Sequence, residues 1–135
     1  MPTIEVERRD LEFLLGRKLP DDPEKLDEIL SFIKGEVKNV DEEEIYIDIK
    51  DSNRADLWGV EGIARALRGI LNIEVGLKRY EVAGKSGVEI TVDQRLKNIR
   101  PYIACAVVKG VKLSDAAIRH IMRFQDKMDQ TYGRG

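Results

Sequence analysis

The 135 residues hold a single cysteine and a single histidine. A lone Cys105 excludes an internal disulfide framework and any cysteine-based zinc site, and a lone His120 excludes a multi-histidine one. Long apolar runs are also missing. None approaches the roughly 20 residues that a membrane helix needs, and Met1-Pro2-Thr3-Ile4-Glu5 shows no basic stretch followed by an apolar one. The expectation is a soluble cytoplasmic protein in a reducing compartment. Asn and Gln are scarce as well, while charged residues reach 36%, a balance that leans towards heat adaptation.

What is present fits one compact domain, or one domain and part of another. Hydrophobic residues make up 42%, enough for a core without covalent staples. The net charge of −2 hides a gradient. Residues 1–53 hold 16 acids and 8 bases, whereas residues 93–135 hold 4 acids and 9 bases. The basic C-terminal part therefore faces an acidic partner, either RNA or the acidic first half of the chain itself. Asp41-Glu42-Glu43-Glu44 reads as a solvated turn, since adjacent like charges need water to screen them.

Along the chain, Ile4 and Val6 alternate with polar neighbours and predict a short strand. Asp10 then offers a cap for a helix through Leu11, Leu14 and Leu15 that Gly16 stops. Asp22 as N-cap, Pro23 at the first helical position and Leu26, Ile29, Leu30 and Ile33 predict an amphipathic helix ended by Gly35. Ile45, Ile47 and Ile49 alternate with Tyr46, Asp48 and Lys50, the period of a strand with one buried face. From Asn53, read as the cap of the next helix, the period becomes helical through Leu57, Val60, Ala64, Leu67 and Leu71. Gly59 and Gly62 fall inside that helix and imply close approach of another backbone. Residues 80–82 and 88–92 predict a hairpin about Gly84-Lys85-Ser86-Gly87. Residues 103–108 predict a strand buried on both faces, and Ser114 caps a last helix bearing Ile118, Ile121, Met122, Gln125, Met128 and Tyr132. The class is α+β: a small mixed domain over 1–92, then a linker and the opening strand and helix of an incomplete second domain over 93–135.

Catalytic constellations are not evident. Gly84-Lys85-Ser86-Gly87 lacks the glycine spacing of a phosphate loop and reads as a turn. His120 has no neighbouring partner in sequence and reads as a packing or surface residue; Cys105, amid Ile103, Ala104, Ala106 and Val107, reads as a small buried hydrophobe. Asp51 and Asp56 read as helix-start groups that interact with the dipole and with Arg54. No residue is assigned to catalysis, to a cofactor or to a metal.

The run Asp51-Ser52-Asn53-Arg54-Ala55-Asp56-Leu57-Trp58-Gly59-Val60-Glu61-Gly62-Ile63-Ala64-Arg65-Ala66-Leu67-Arg68 resembles the strand-to-helix motif of the phenylalanyl-tRNA synthetase beta-subunit family, in its N-terminal domain. Pro2-Thr3-Ile4-Glu5-Val6, Leu14-Leu15-Gly16 and the stretch from Ile99-Arg100-Pro101-Tyr102 to Lys109-Gly110-Val111 resemble the archaeal and eukaryotic branch. Ala55 departs from the family's usual proline, which touches only the rigidity of the helix start. Within the motif, Asp51, Asn53, Arg54, Asp56, Gly59 and Gly62 are the structural positions. The resemblance implies part of an ATP-dependent ligase that attaches phenylalanine to tRNA(Phe), assembled as two alpha and two beta subunits, with ATP and magnesium held by the alpha subunit. It also implies that residues 101–135 enter an editing domain that hydrolyses mischarged tyrosyl-tRNA.

Three roles follow as expectations. The first is a structural, catalytically silent N-terminal portion that docks the editing domain. The second is tRNA contact through Arg95, Lys97, Arg100 and Lys109. The third is a stand-alone tRNA- or protein-binding paralogue. An exposed edge at 103–108 also predicts self-association in a short form.

Overall fold

The computed structural model describes residues 3–51 and 53–133. It is an α+β structure with two compact units, Met1–Leu77 together with Ser114–Gly135, and Lys78–Leu113. In the first unit, β1 (Thr3–Glu7), β2 (Gly35–Val40) and β3 (Glu44–Ile49) form a sheet in the order β1-β3-β2. Both pairings are antiparallel; Ile4 lies opposite Ile47, Val6 opposite Ile45, and Val37 opposite Ile47 before a bulge towards Asn39. The alternation places Ile45, Ile47 and Ile49 on one fully buried face.

Helices α1 (Arg8–Leu15), α2 (Pro23–Ser31) and α3 (Val60–Ile70) cover that face. Leu11 and Leu15, Leu26 and Leu30, and Ile63 and Leu67 are their buried side chains, spaced as one stripe on each helix. As the sequence predicts, Asp22 Oδ1 accepts the Glu24 N–H at 3.1 Å, Pro23 stands in the first turn, and Gly16 closes α1 at φ 74°. Arg68 of α3 donates through Nη1 to the carbonyls of Leu14 and Leu15 at 3.1 and 3.2 Å, so a cation answers the last carbonyls of α1.

Four boundaries differ from expectation. Helix α1 starts at Arg8 behind Glu7, and Asp10 sits in its first turn instead of capping it. Helix α2 ends at Ser31, where Lys34 takes the left-handed conformation at φ 56° and Gly35 opens β2. A Cβ on Gly35 would stand 3.2 Å from both Ile47 Cγ2 and the Leu30 carbonyl oxygen, so that glycine is a corner residue. Strand β2 itself is a polar edge strand, absent from the sequence expectation; its Val37 N–H donates to Asp27 Oδ1 at 2.7 Å, which occupies the edge. The helix expected from Asn53 is broken into a 3-10 turn, Ala55–Trp58, and α3, with Arg54 and Gly59 at their respective N-caps.

Lys78–Leu113 contains one 3-10 turn, Gln94–Asn98, and no strand among the described residues. The expected hairpin over 80–82 and 88–92 and the buried strand over 103–108 are therefore not formed. Ile103 is 64% and Val108 72% exposed, and Cys105, expected to be buried, is exposed as well. An apolar pattern supplies one face of a strand, but hydrogen-bonding neighbours must come from elsewhere, and none among the described residues forms a strand with them. Helix α4 (Asp115–Met128) forms behind Ser114, whose Oγ accepts the Ala117 N–H at 3.1 Å.

Glu12 and Asp48 are the buried acids among the described residues, and Glu12 bridges α1 to the loop after it. Its Oε1 accepts the Leu19 N–H at 3.1 Å and its Oε2 receives Lys18 Nζ at 2.6 Å. Burial alone would raise this carboxyl, but the bonds from Lys18 and Leu19 and the charges of Lys18 and Arg8 together hold it below its ordinary 4.5. A carboxyl lowered by folding stabilises the fold fully above its unfolded value, and that contribution fades as pH falls through the lower folded value. Glu12→Gln is therefore expected to cost about 1–3 kcal/mol at pH 7. In urea unfolding followed by circular dichroism, the gap to the parent should narrow steadily as pH drops below 4.5.

Candidate functional site

The motif at 51–68 leaves the central strand and enters α3. The Lys50 N–H donates to the Lys34 carbonyl at 3.0 Å, and Asp51 takes Lys34 Nζ at 3.1 Å, which ties the end of β3 to the α2–β2 corner. Asp51 was expected to serve the helix start with Arg54; its side chain bonds Lys34 instead, while its carbonyl accepts the Arg54 N–H at 3.3 Å. Arg54 grips Asp56 with two parallel bonds of 2.8 and 2.7 Å. The fork of Arg54 holds the Asp56 carboxyl below its usual range and is itself raised in return. Asn53 is exposed and outside the helix, and Ser52 and Pro2 of the motif stretches lie outside the described residues.

Gly62 is the tight point. A Cβ there would fall 1.7 Å from the Asp56 carbonyl oxygen, an impossible contact, so the 3-10 turn rests directly on the backbone of α3. The close approach expected of both glycines thus holds at Gly62. Gly59 lies outside the helix in extended backbone, φ −146°, and a Cβ there would meet only the end of the Glu61 side chain at 3.3 Å.

Beside this turn a groove of about 270 Å³ is lined by Thr3, Glu5, Trp58 and Val60 and by His120, Arg123 and Lys127 of α4. Lys127 Nζ stands 5.7 Å above the Trp58 ring. His120 Nδ1 lies 3.6 Å from Glu61 Oε1 and 3.9 Å from Asp10 Oδ2, as a packing histidine between two acids. Arg119 pairs with Glu7 and Arg123 with Glu5, each at 3.2 Å. The acidic first half is thus one partner of the basic C-terminal part. Sequence reasoning did not single out Arg119, Arg123, Lys127 or Trp58, although the charge gradient pointed to such pairing.

The basic residues assigned to RNA lie in Lys78–Leu113. Arg95 is bound to Asp93, with Nη2 to Oδ2 at 2.6 Å, and that bond raises Arg95 and lowers Asp93. Lys97 shares the Gln94–Asn98 turn with it and Arg100 follows two residues after; both are exposed, as is Lys109. No side-chain ion pair engages Lys97, Arg100 or Lys109 among the described residues. Among the same residues no group of three or more His, Cys, Asp and Glu side chains is placed to hold a metal, and no helix is long and apolar enough to cross a membrane.

No family model matches the chain. It is 43% identical over 99% of its length to the phenylalanine–tRNA ligase beta subunit of Pyrococcus furiosus, of which it covers 24%. It is 41% identical over 99% of its length to that of Methanosphaera stadtmanae, covering 23%. A crystal structure of an N-terminal fragment of the phenylalanyl-tRNA synthetase beta subunit from Pyrococcus horikoshii superposes with a TM-score of 0.84 at 39% identity, matching 98% of this chain and 39% of that one. The chain thus spans about a quarter of the length of the curated relatives it matches.

The motif's weight falls on the glycine and not on the visible ion pair. Gly62→Ala is expected to destabilise by at least about 2 kcal/mol, because main chain must move. Arg54→Ala, which removes a pair that is half exposed on both sides, should cost under about 1 kcal/mol, and Gly59→Ala should be comparably mild. Urea midpoints of the three variants rank them; a larger loss for Arg54→Ala than for Gly62→Ala would overturn the assignment.

Proposed function

We propose, for a chain that belongs along its whole length with the N-terminal region of archaeal phenylalanine–tRNA ligase beta subunits, that its work is architectural. It is a folded base on which further parts of the subunit are seated. In the whole enzyme that base serves the ATP- and magnesium-dependent attachment of phenylalanine to tRNA(Phe), in an assembly of two alpha and two beta subunits, and the hydrolysis of mischarged tyrosyl-tRNA by the editing domain. The chain alone performs neither step.

The observation that carries this reading is the distribution of apolar surface. The core is built from residues 4–67, while Ile99, Tyr102, Ile103, Val107, Val108 and Val111 all stand exposed. Contiguous exposed apolar sequence of this kind marks an interaction surface, and the sequence pattern of 103–108 asks for flanking strands. With this chain alone, release of tyrosine from Tyr-tRNA(Phe) is expected to stay at the uncatalysed rate; appreciable turnover would place editing chemistry in these residues and sink the proposal.

A second role is favoured by the exposed cations Lys97, Arg100 and Lys109, with Arg95 beside them. They are suited to tRNA phosphates, whose contacts carry no sequence preference and release counterions. Filter binding of tRNA should then weaken steeply between about 50 and 200 mM salt, and Lys97→Ala with Arg100→Ala should flatten that slope by about 2. Absence of binding at the lowest salt would remove this role and leave the architectural one intact.

A further inference from the structure

Helix α4 docks with the opposite face inward from the one its sequence prepares. Ile118, Ile121, Met122 and Met128 form its apolar stripe, continued by Tyr132 in the turn that follows, and all remain exposed, Met122 by 60%. Its inward positions are Ala116, Ala117, His120 and Lys127, which are half-buried, and no residue of the helix is fully buried. What joins α4 to the rest of its unit is chiefly charge: Arg119 to Glu7 and Arg123 to Glu5 at 3.2 Å each and Lys127 above Trp58, with the His120 ring lodged beside Asp10 and Glu61. Arg119 also pairs with Asp115 of its own helix, which competes with Glu7 for the guanidinium.

Two further observations bear on how firmly this holds. Exposed ion pairs contribute little individually and are screened by salt. Trp58 of the contact zone has its Nε1 buried without a hydrogen-bond partner among the described residues, and a buried donor left unpaired opposes the arrangement that buries it. The core, in contrast, takes nothing from α4.

We propose that α4 is a charge-held strap. It lies docked at low ionic strength and lifts as ionic strength rises, leaving the sheet and α1 to α3 folded and opening Trp58 to solvent. Lifting frees Arg119, Arg123 and Lys127 together, so the basic face of the helix becomes available only when Glu5 and Glu7 no longer hold it.

Trp58 is the only tryptophan and reports the event directly. On the full 135-residue chain, acrylamide quenching of Trp58 should increase and its emission shift to the red between about 0.01 and 1 M sodium chloride, as the screening length shrinks from roughly 30 to 3 Å. The helical circular dichroism and the cooperative thermal transition should persist. Arg119→Glu with Arg123→Glu should give the lifted signal already at low salt, each lost pair shifting the docked-to-lifted ratio about two- to fivefold. Adding Glu5→Arg and Glu7→Arg should restore the docked signal. Quenching that ignores both salt and charge reversal overturns the strap, as does loss of the cooperative transition when salt alone exposes Trp58. Failure of the four-residue exchange to restore the signal, in a variant that retains its cooperative transition, also counts against it.

Discussion

Strand β3 must bury Ile45, Ile47 and Ile49 on one face, and the rest of the first unit answers that demand. Burying three such side chains contributes several kcal/mol, about 1.5–3 kcal/mol each, so the register that keeps them together is strongly specified. Helices α1, α2 and α3 all come to this face, and the core closes with Leu67. The opposite side of β3 is polar. Asp48 accepts the Thr3 hydroxyl at 2.6 Å and meets Lys38 at 3.3 Å, and the Thr3 bond foremost keeps its carboxyl below the usual range despite burial. Tyr46 donates to Glu44 at 2.8 Å and is pushed up to about 12 by that bond. A sheet so divided offers no second apolar layer, and the firm contacts that α4 makes are with the charges of Glu5 and Glu7 and the face of Trp58.

The elements that read correctly from sequence are those whose pattern and packing agree. Pro23, Asp22 and the Leu26–Leu30 spacing announce α2 because the same residues that start the helix also aim it at the core. Strand β2 escapes detection since Glu36, Lys38 and Asn39 face water and a bulge interrupts its alternation. Gly35 misleads for a related reason: it ends one element and opens the next, and its real constraint is Ile47 across the sheet. The region 103–108 fails in the other direction. Its apolar run is the strongest strand signal after β3, yet periodicity states only what a segment would bury, never what will cover it.

At the candidate site the sequence shows which residues matter but not how they act. Asn53, Arg54 and Asp56 look like a cap and its charges, whereas the geometry makes Gly62 the determinant, through a carbonyl contact that no linear pattern encodes. Arg95 and Lys97 sit on an exposed turn and Arg100 follows two residues after it. The charge gradient was legible with its direction but without its terms: which arginine meets which glutamate depends on α4 lying beside β1, a long-range placement that composition cannot supply.

The directions of the perturbed groups are compatible with the architectural role proposed above. Glu12, Asp48, Asp56 and Asp93 are all lowered, while Tyr46, Lys50, Arg54 and Arg95 are all raised. Each of these moves away from neutrality. A general acid or base needs the reverse, a carboxyl raised or a cation lowered towards the working pH by burial and like charge. At the carboxylates and cations, hydrogen bonds and opposite charges prevail over burial, while at Tyr46 the Glu44 bond, burial and the nearby acids all act in the same direction. That is the electrostatics of a surface that holds its own elements in place, in keeping with the role proposed for a chain similar to the N-terminal region of synthetase beta subunits.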